Sequence, residues 1–436
     1  SFLWRALVPS IDRYDVDASQ FKALKLQGLS KNDCFLELFH FWKEYATLSL
    51  MRRIQSSVGE ARRQLSFLLK EKRPEFWLEA KDSFFSEEEG FSLITLQAKE
   101  SEKFYNSGRN RLMRDDICAL HVFGEEEGSE DETRTLSYIW KIEGCGLEKR
   151  WKFWVPGRWL MRSRRIHAVA VPMFQAVTDT RRGRAVSRLL HLHRSLAQII
   201  FFPRRAPEIQ YKAHCHLPQD GAVQKVYWHY KERLNESQFE VLDKIMKALS
   251  VDQEEEGNGV IAVQGPPGTG KSTVIVSAVA LLLAKMESDQ HRNKRIIVCA
   301  PSNAAVDVLA RRMNDGIDMA VVEQKPYSLK VLKQTPSLVR IGPECTDASL
   351  KGIRVNELVS KKIEIDGRKD YEFPEQAQAR VTKEVLNERS VWCSTLMNIM
   401  SEKYESREVL KDVLAVIVDE AGQALEIDCL MPLLAF

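Results

Sequence analysis

The chain's densest chemistry lies in nine consecutive residues, Gly265-Pro266-Pro267-Gly268-Thr269-Gly270-Lys271-Ser272-Thr273. They fit the spacing G-x-x-x-x-G-K-[ST] of a loop that wraps nucleotide phosphates. Glycines let successive backbone N–H groups turn inward around an anion. A helix starting at the end of the loop aims its positive terminus at the same point. Lys271 adds a point charge for the outer phosphates, and the Ser272 hydroxyl can reach a magnesium ion. The flanks suit the loop: the apolar run Val260-Ile261-Ala262-Val263 precedes it, and Val274, Ala278, Leu281 and Leu282 follow at helical spacing. The spacing therefore predicts strand, loop and helix in that order.

A second segment supplies what such a loop requires. Val413-Leu414-Ala415-Val416-Ile417-Val418 is apolar throughout and runs into Asp419-Glu420-Ala421-Gly422-Gln423. A buried strand that delivers two carboxylates at its C-terminal end places them where open α/β sheets bind ligands. Asp419 is expected to hold Mg2+, and Glu420 to orient and deprotonate an attacking water. Positioning and charge neutralisation supply most of the rate of phosphoryl transfer.

Around these segments the spacing alternates strand and helix. Strands are predicted at 260–264, 295–300, 337–341, 391–394 and 413–418, with helices at 271–286 and 303–313. Alternation of this kind implies a parallel α/β sheet with helices on both faces. A charged, helical insertion near 345–388 interrupts it. Ser237 is the expected N-cap of a helix carrying Phe239, Leu242, Ile245, Met246 and Leu249. Upstream, residues 1–87 read as helical and residues 88–157 as short strands of a small β-barrel. Residues 158–225 read as helices and a linker, including a helix over 183–201.

At 436 residues, 44% hydrophobic and 29% charged, the chain is long enough for more than one globular domain. No apolar run is long enough to span a bilayer, so no membrane partner is expected. The first residues lack the blocks of a signal peptide. Eight cysteines occur without a C-x-x-C pair, which argues for reduced thiols in a cytosolic or nuclear setting. His214-Cys215-His216 has no second ligand pair at zinc spacing. A net charge of +3 decides nothing about nucleic acid. The cluster of arginines from Arg150 to Arg194, interleaved with Trp151, Phe153, Trp154 and Trp159, has two readings. One is a surface that tracks phosphates and stacks bases; the other is a β domain with aromatic core residues and a solvated arginine face.

Three further segments carry a resemblance. Leu234-Asn235-Glu236-Ser237-Gln238 looks like the Q motif of superfamily-1 helicases, which implies that Gln238 reads adenine. Cys299-Ala300-Pro301-Ser302-Asn303 resembles their motif Ia, which grips the sugar-phosphate backbone of a single strand. Asp419-Glu420-Ala421-Gly422-Gln423 resembles motif II of the up-frameshift-like branch, where the glutamine links nucleotide to motor. Leu338-Val339-Arg340-Ile341-Gly342 and the run from Val416 to Ile427 are similar to the senataxin-like members of that branch. Cys393-Ser394-Thr395-Leu396 resembles a short motif that touches nucleic acid.

The resemblance implies a RecA-like motor domain over 226–436, preceded by a barrel and a helical stalk. It implies ATP and Mg2+ as cofactors. It implies a 5′-to-3′ helicase on single-stranded RNA or DNA, with RNA–DNA hybrids and transcription termination as the senataxin-like role. The implied location is nuclear, with the cytoplasm as alternative. Pro301, Ser302, Asn303, Ser394 and Thr395 are the implied nucleic-acid contacts. The sequence stops after motif II, so the expectation is a fragment without the second RecA-like domain. Lost arginine fingers cost about 10³–10⁵ in rate, so turnover by the chain alone is expected to be poor. The alternative is a catalytically weak platform that binds nucleic acid or protein. A GTPase is disfavoured because no Asn-Lys-x-Asp segment is present: Asn293-Lys294-Arg295-Ile296 has isoleucine at the last position.

Overall fold

The computed structural model describes residues 34–71, 73–86, 91–98, 102–124, 133–144, 149–156, 166–189, 221–249, 259–288, 294–322, 338–342, 347–366, 374–401 and 413–435, with a few single positions between them. The chain divides into two compact units, Ser1–Ser187 and Arg188–Phe436.

In the first unit, helix α1 (Cys34–Glu71) precedes six antiparallel strands: β1 (Leu78–Ser86), β2 (Phe91–Ala98), β3 (Asp116–Gly124), β4 (Thr133–Glu143), β5 (Arg150–Pro156) and β6 (Ile166–Gln175). A short helix α2 (Glu102–Asn106) lies between β2 and β3, and α3 (Val177–Arg188) follows β6. The strands close into a barrel in the order β1-β2-β5-β4-β3-β6. Alternation along the strands builds two cores, because successive side chains face opposite sides. Cys118, Leu120, Val122, Ala168 and Ala170 join Ile94, Trp151 and Phe153 inside the barrel. Ile117, Ala119, Val169 and Val171 face outward and meet a helical stripe on α1 (Leu50, Ile54, Val58, Ala61, Leu65 and Leu68). The barrel extends beyond the expected 88–157 at both ends. Of the β1 residues only Leu78 and Ala80 are buried. β6 lies where helix and linker were expected; α3 starts before the predicted 183–201 helix and covers its first residues, and most of the remainder of that span lies outside the described residues.

The second unit opens with helices α4 (Gly221–Lys231) and α5 (Glu236–Leu249). Next come α6 (Lys271–Ser288), β7 (Arg295–Ala300), α7 (Asn303–Val322) and β8 (Leu338–Arg340). The insertion contributes α8 (Val355–Asp366) and α9 (Pro374–Asn387), followed by β9 (Val391–Thr395), β10 (Val413–Val418) and α10 (Glu426–Leu434). The parallel sheet runs β10-β7-β9-β8. All six residues of β7 are buried, as its place between two strands requires. α6 and α7 share one apolar cluster with the sheet. The other side of α6 packs on α4 and α5 through Leu281 and Ala284, and α10 touches β10.

One predicted strand is absent. Residues 259–266 carry no strand pairing, and Val260 and Val263 are each 47% exposed. A strand needs ladder partners as well as apolar bulk. β10 pairs with β7 on one edge, and its other edge carries no strand among the described residues. Every residue of β10 is accordingly only half-buried.

Candidate nucleotide and nucleic-acid site

The approach to the phosphate loop is a helix cap. Asn235, not Ser237, caps α5: the Gln238 N–H donates to Asn235 Oδ1 at 2.9 Å, and the Asn235 N–H donates to Gln238 Oε1 at 3.2 Å. This reciprocal pair is a capping box with Asn and Gln in its two places. Ser237 Oγ donates to the same Asn235 Oδ1 at 3.0 Å. The Gln238 amide then reaches across the loop, and Nε2 donates to the Thr269 carbonyl at 2.9 Å.

The loop is folded on itself. Gly268 and Gly270 adopt φ of +81° and +85°, the left-handed region that favours glycine. Thr269 Oγ1 donates to the Pro266 carbonyl at 2.8 Å. Lys271, the first residue of α6, directs Nζ to the carbonyls of Gly265 (2.7 Å) and Pro266 (3.2 Å). Ser272 is half-buried beside it and Thr273 is exposed, as are Pro266 and Pro267.

The carboxylates stand at the end of β10. The Asp419 N–H donates to the Cys299 carbonyl at 2.9 Å, continuing the ladder to β7 by one residue. Glu420 takes a left-handed φ of +51°, and its N–H donates to Asp419 Oδ1 at 3.0 Å. Gln423 Nε2 donates to Glu420 Oε2 at 3.1 Å, so motif II is braced internally. Glu420 and Gln423 are exposed, while Asp419 is half-buried. Burial pushes the Asp419 carboxyl above the usual carboxylate range, against the Lys271 and Arg312 cations, which pull it down. Loop lysine and strand aspartate therefore act on one another at the C-terminal edge of the sheet. Sequence reasoning missed Arg312, because an exposed helix arginine carries no local signal.

The same edge carries the turn between β7 and α7. Exposed Ser302 is the N-cap, accepting the Ala305 N–H at 3.2 Å. Pro301 and Asn303 are half-buried, and Asn303 Oδ1 accepts from Arg340 Nη2 at 3.0 Å. Thr395, at the end of β9, is half-buried and accepts the Asn398 N–H on Oγ1 at 3.2 Å. Ser394 corrects the expectation: it is fully buried on the β7–β9 ladder and offers no surface to a strand.

Of the two readings of the aromatic–arginine stretch, its described aromatics follow the core one. Trp151 and Phe153 are fully buried inside the barrel, and Trp154 packs against the cluster under α1. Period-two alternation places them there, which is the core reading. Trp159 and the His214-Cys215-His216 group lie outside the described residues. Among the described residues no three His, Cys, Asp or Glu side chains cluster to hold a metal, and no helix is long and apolar enough to cross a membrane.

Residues 233–372 and 368–435 match the profile of an AAA domain. The chain is similar to "ATP-dependent helicase upf1" of Schizosaccharomyces pombe, at 28% identity over 50% of this chain and 21% of the relative. It is 32% identical to "DNA polymerase alpha-associated DNA helicase A" of the same yeast, over 39% of this chain and 26% of the relative. It is 30% identical to "Helicase SEN1" of Saccharomyces cerevisiae, over 32% of this chain and 6% of the relative. Over residues 233–435 the chain is similar to the up-frameshift-like superfamily-1 helicases. The AAA match begins at residue 233, so its part in the up-frameshift-like assignment falls on the second unit. In these helicase relatives the matched segment is between 6% and 26% of the whole protein.

Proposed function

We propose that the second unit is a RecA-like half of an ATP-driven motor that moves 5′ to 3′ along single-stranded RNA or DNA. What supports this reading is that the Lys271 cation acts on the Asp419 carboxyl at the end of β10, while Ser302 and Asn303 follow β7 and Thr395 ends β9 at the same edge of the parallel sheet. Nucleotide chemistry and strand contact then share one rim, as a motor needs.

The loop fits a magnesium-bound triphosphate. Gly268 and Gly270 hold left-handed backbone, and a Cβ on Gly265 would meet Thr269 Oγ1 at 2.8 Å. Mg2+ keeps several waters and takes one or two protein ligands besides phosphate oxygens, and Ser272 with Asp419 is such a set. When bound, the ion neutralises charge on the phosphates. Lys271 supplies a second positive charge to the outer phosphates. Glu420, held by Gln423, orients and deprotonates the attacking water. Gln238 reads the adenine edge with its remaining amide N–H and lone pair. Ser302, Asn303 and Thr395 grip backbone phosphates, so no base preference is expected.

The likeness to Helicase SEN1 supports a senataxin-like role on RNA–DNA hybrids, in the nucleus or the cytoplasm. The barrel with its helices serves as the accessory domain of the motor. Strand displacement on matched RNA, DNA and hybrid duplexes tests this. In the full-length protein Lys271→Ala is expected to abolish ATP-driven displacement while strand binding persists. Normal unwinding by that variant would refute the role of the loop.

A further inference from the structure

We propose that Arg340 is a positioning residue that sets the Asn303 amide for its contact with the single strand; this rests on the strand-binding reading of the β7–α7 turn. Arg340 ends β8 and is fully buried. Its guanidinium forks three ways. Nε donates to Asp307 Oδ1 at 2.6 Å, Nη2 to Asn303 Oδ1 at 3.0 Å, and Nη1 to the Ile341 carbonyl. Asn303 and Asp307 lie one turn apart at the start of α7, so one side chain ties that turn to the sheet edge.

Stability alone is a weak reason for this arrangement. Burying an ion pair costs desolvation that its attraction only partly returns, and apolar pairs of similar volume often hold a fold equally well. The fork does something an apolar pair cannot. A guanidinium has donors and no acceptor, so only the oxygen of Asn303 can face it. That choice turns the Asn303 NH2 to the opposite side of the amide, with its flip decided before any strand arrives. Lysine cannot replace this geometry, because a point charge lacks the planar fork.

The test uses the 436-residue chain, a labelled single-stranded oligouridylate and a salt titration. Loss of one phosphate hydrogen bond weakens binding about five- to tenfold and leaves the salt slope unchanged, because the Asn303 amide carries no charge and displaces no counterion. Asn303→Ala and Arg340→Lys are each expected to show this loss, and their combination is expected to be no worse than either alone. Because Arg340→Lys leaves a buried site half filled, the double variant Arg340→Met/Asp307→Leu is measured too. It replaces the ion pair with apolar volume and is expected to melt like wild type yet bind like Asn303→Ala. If Asn303→Ala binds as wild type, the strand-binding reading of the turn fails. If Asn303→Ala is weak but Arg340→Met/Asp307→Leu binds normally, or the Arg340→Lys and Asn303→Ala losses add, the positioning role is overturned.

Discussion

Gln238 Nε2 donates to the Thr269 carbonyl at 2.9 Å, so the α5 cap and the phosphate loop form one hydrogen-bonded unit. The same amide accepts the Asn235 N–H through Oε1. A residue expected only to read a base thus also holds the loop that binds the phosphates.

Gln238→Ala is therefore expected to weaken more than base recognition. Affinity should fall about five- to tenfold for ATP, and by a smaller but measurable factor for inorganic tripolyphosphate, which has no base. Loss of the capping box should cost about 1 kcal/mol of stability. Calorimetric titration with both ligands checks this. Unchanged tripolyphosphate affinity would restrict Gln238 to adenine.

The tether was invisible in sequence because it joins residues 31 positions apart. The phosphate loop and motif II were legible, since each carries its chemistry in contiguous residues next to an apolar run. Failures came where burial depends on partners elsewhere. Val260–Val263 has the composition of a buried strand but no ladder, and Ser394 has the polarity of a contact but sits inside the sheet. Arg340 looked like an ordinary strand end until Asn303 and Asp307 came round on α7.

Asp116, in the barrel, gives a pH prediction. Burial raises its carboxyl from 3.8 to about 6, while the Met113 N–H, donating to Oδ2 at 2.6 Å, pulls it down. Between those values the folded state binds more protons than the unfolded state, so stability falls as pH rises from about 4 to about 6. Asp179 is raised in the same direction by burial, so a comparison of variants isolates Asp116. Asp116→Asn keeps the acceptor without the charge. It is expected to gain about 1–3 kcal/mol above pH 6 and to flatten this part of the slope. Denaturant unfolding across that range decides it, and an unchanged slope would count against a raised Asp116.

Ser394 and Trp154 test two contacts that burial argues against. Ser394 Oγ is buried without a hydrogen-bond partner, so Ser394→Ala is expected to be neutral or stabilising and to leave single-strand affinity within about twofold. Trp154→Ala should destabilise by about 2–4 kcal/mol through lost packing against Phe91, Tyr138 and Trp140. A folded Trp154→Ala protein with weakened strand binding would revive the stacking surface.

Two glycines separate backbone strain from the tether. Gly268 and Gly270 have nearly equal left-handed φ, so alanine strains both by about 1 kcal/mol or more. Their surroundings differ. A Cβ at Gly268 meets nothing within 4 Å, whereas one at Gly270 would lie 2.4 Å from Gln238 Nε2. Gly268→Ala should therefore report strain alone, while Gly270→Ala must also displace the Gln238 amide from Thr269. The expected order of ATP affinity is wild type, Gly268→Ala, then Gly270→Ala. In a Gln238→Ala background the gap between the two glycine variants should close, because the clash and the tether are both gone. A gap that persists there would mean that Gly270 acts on the phosphates directly rather than through Gln238.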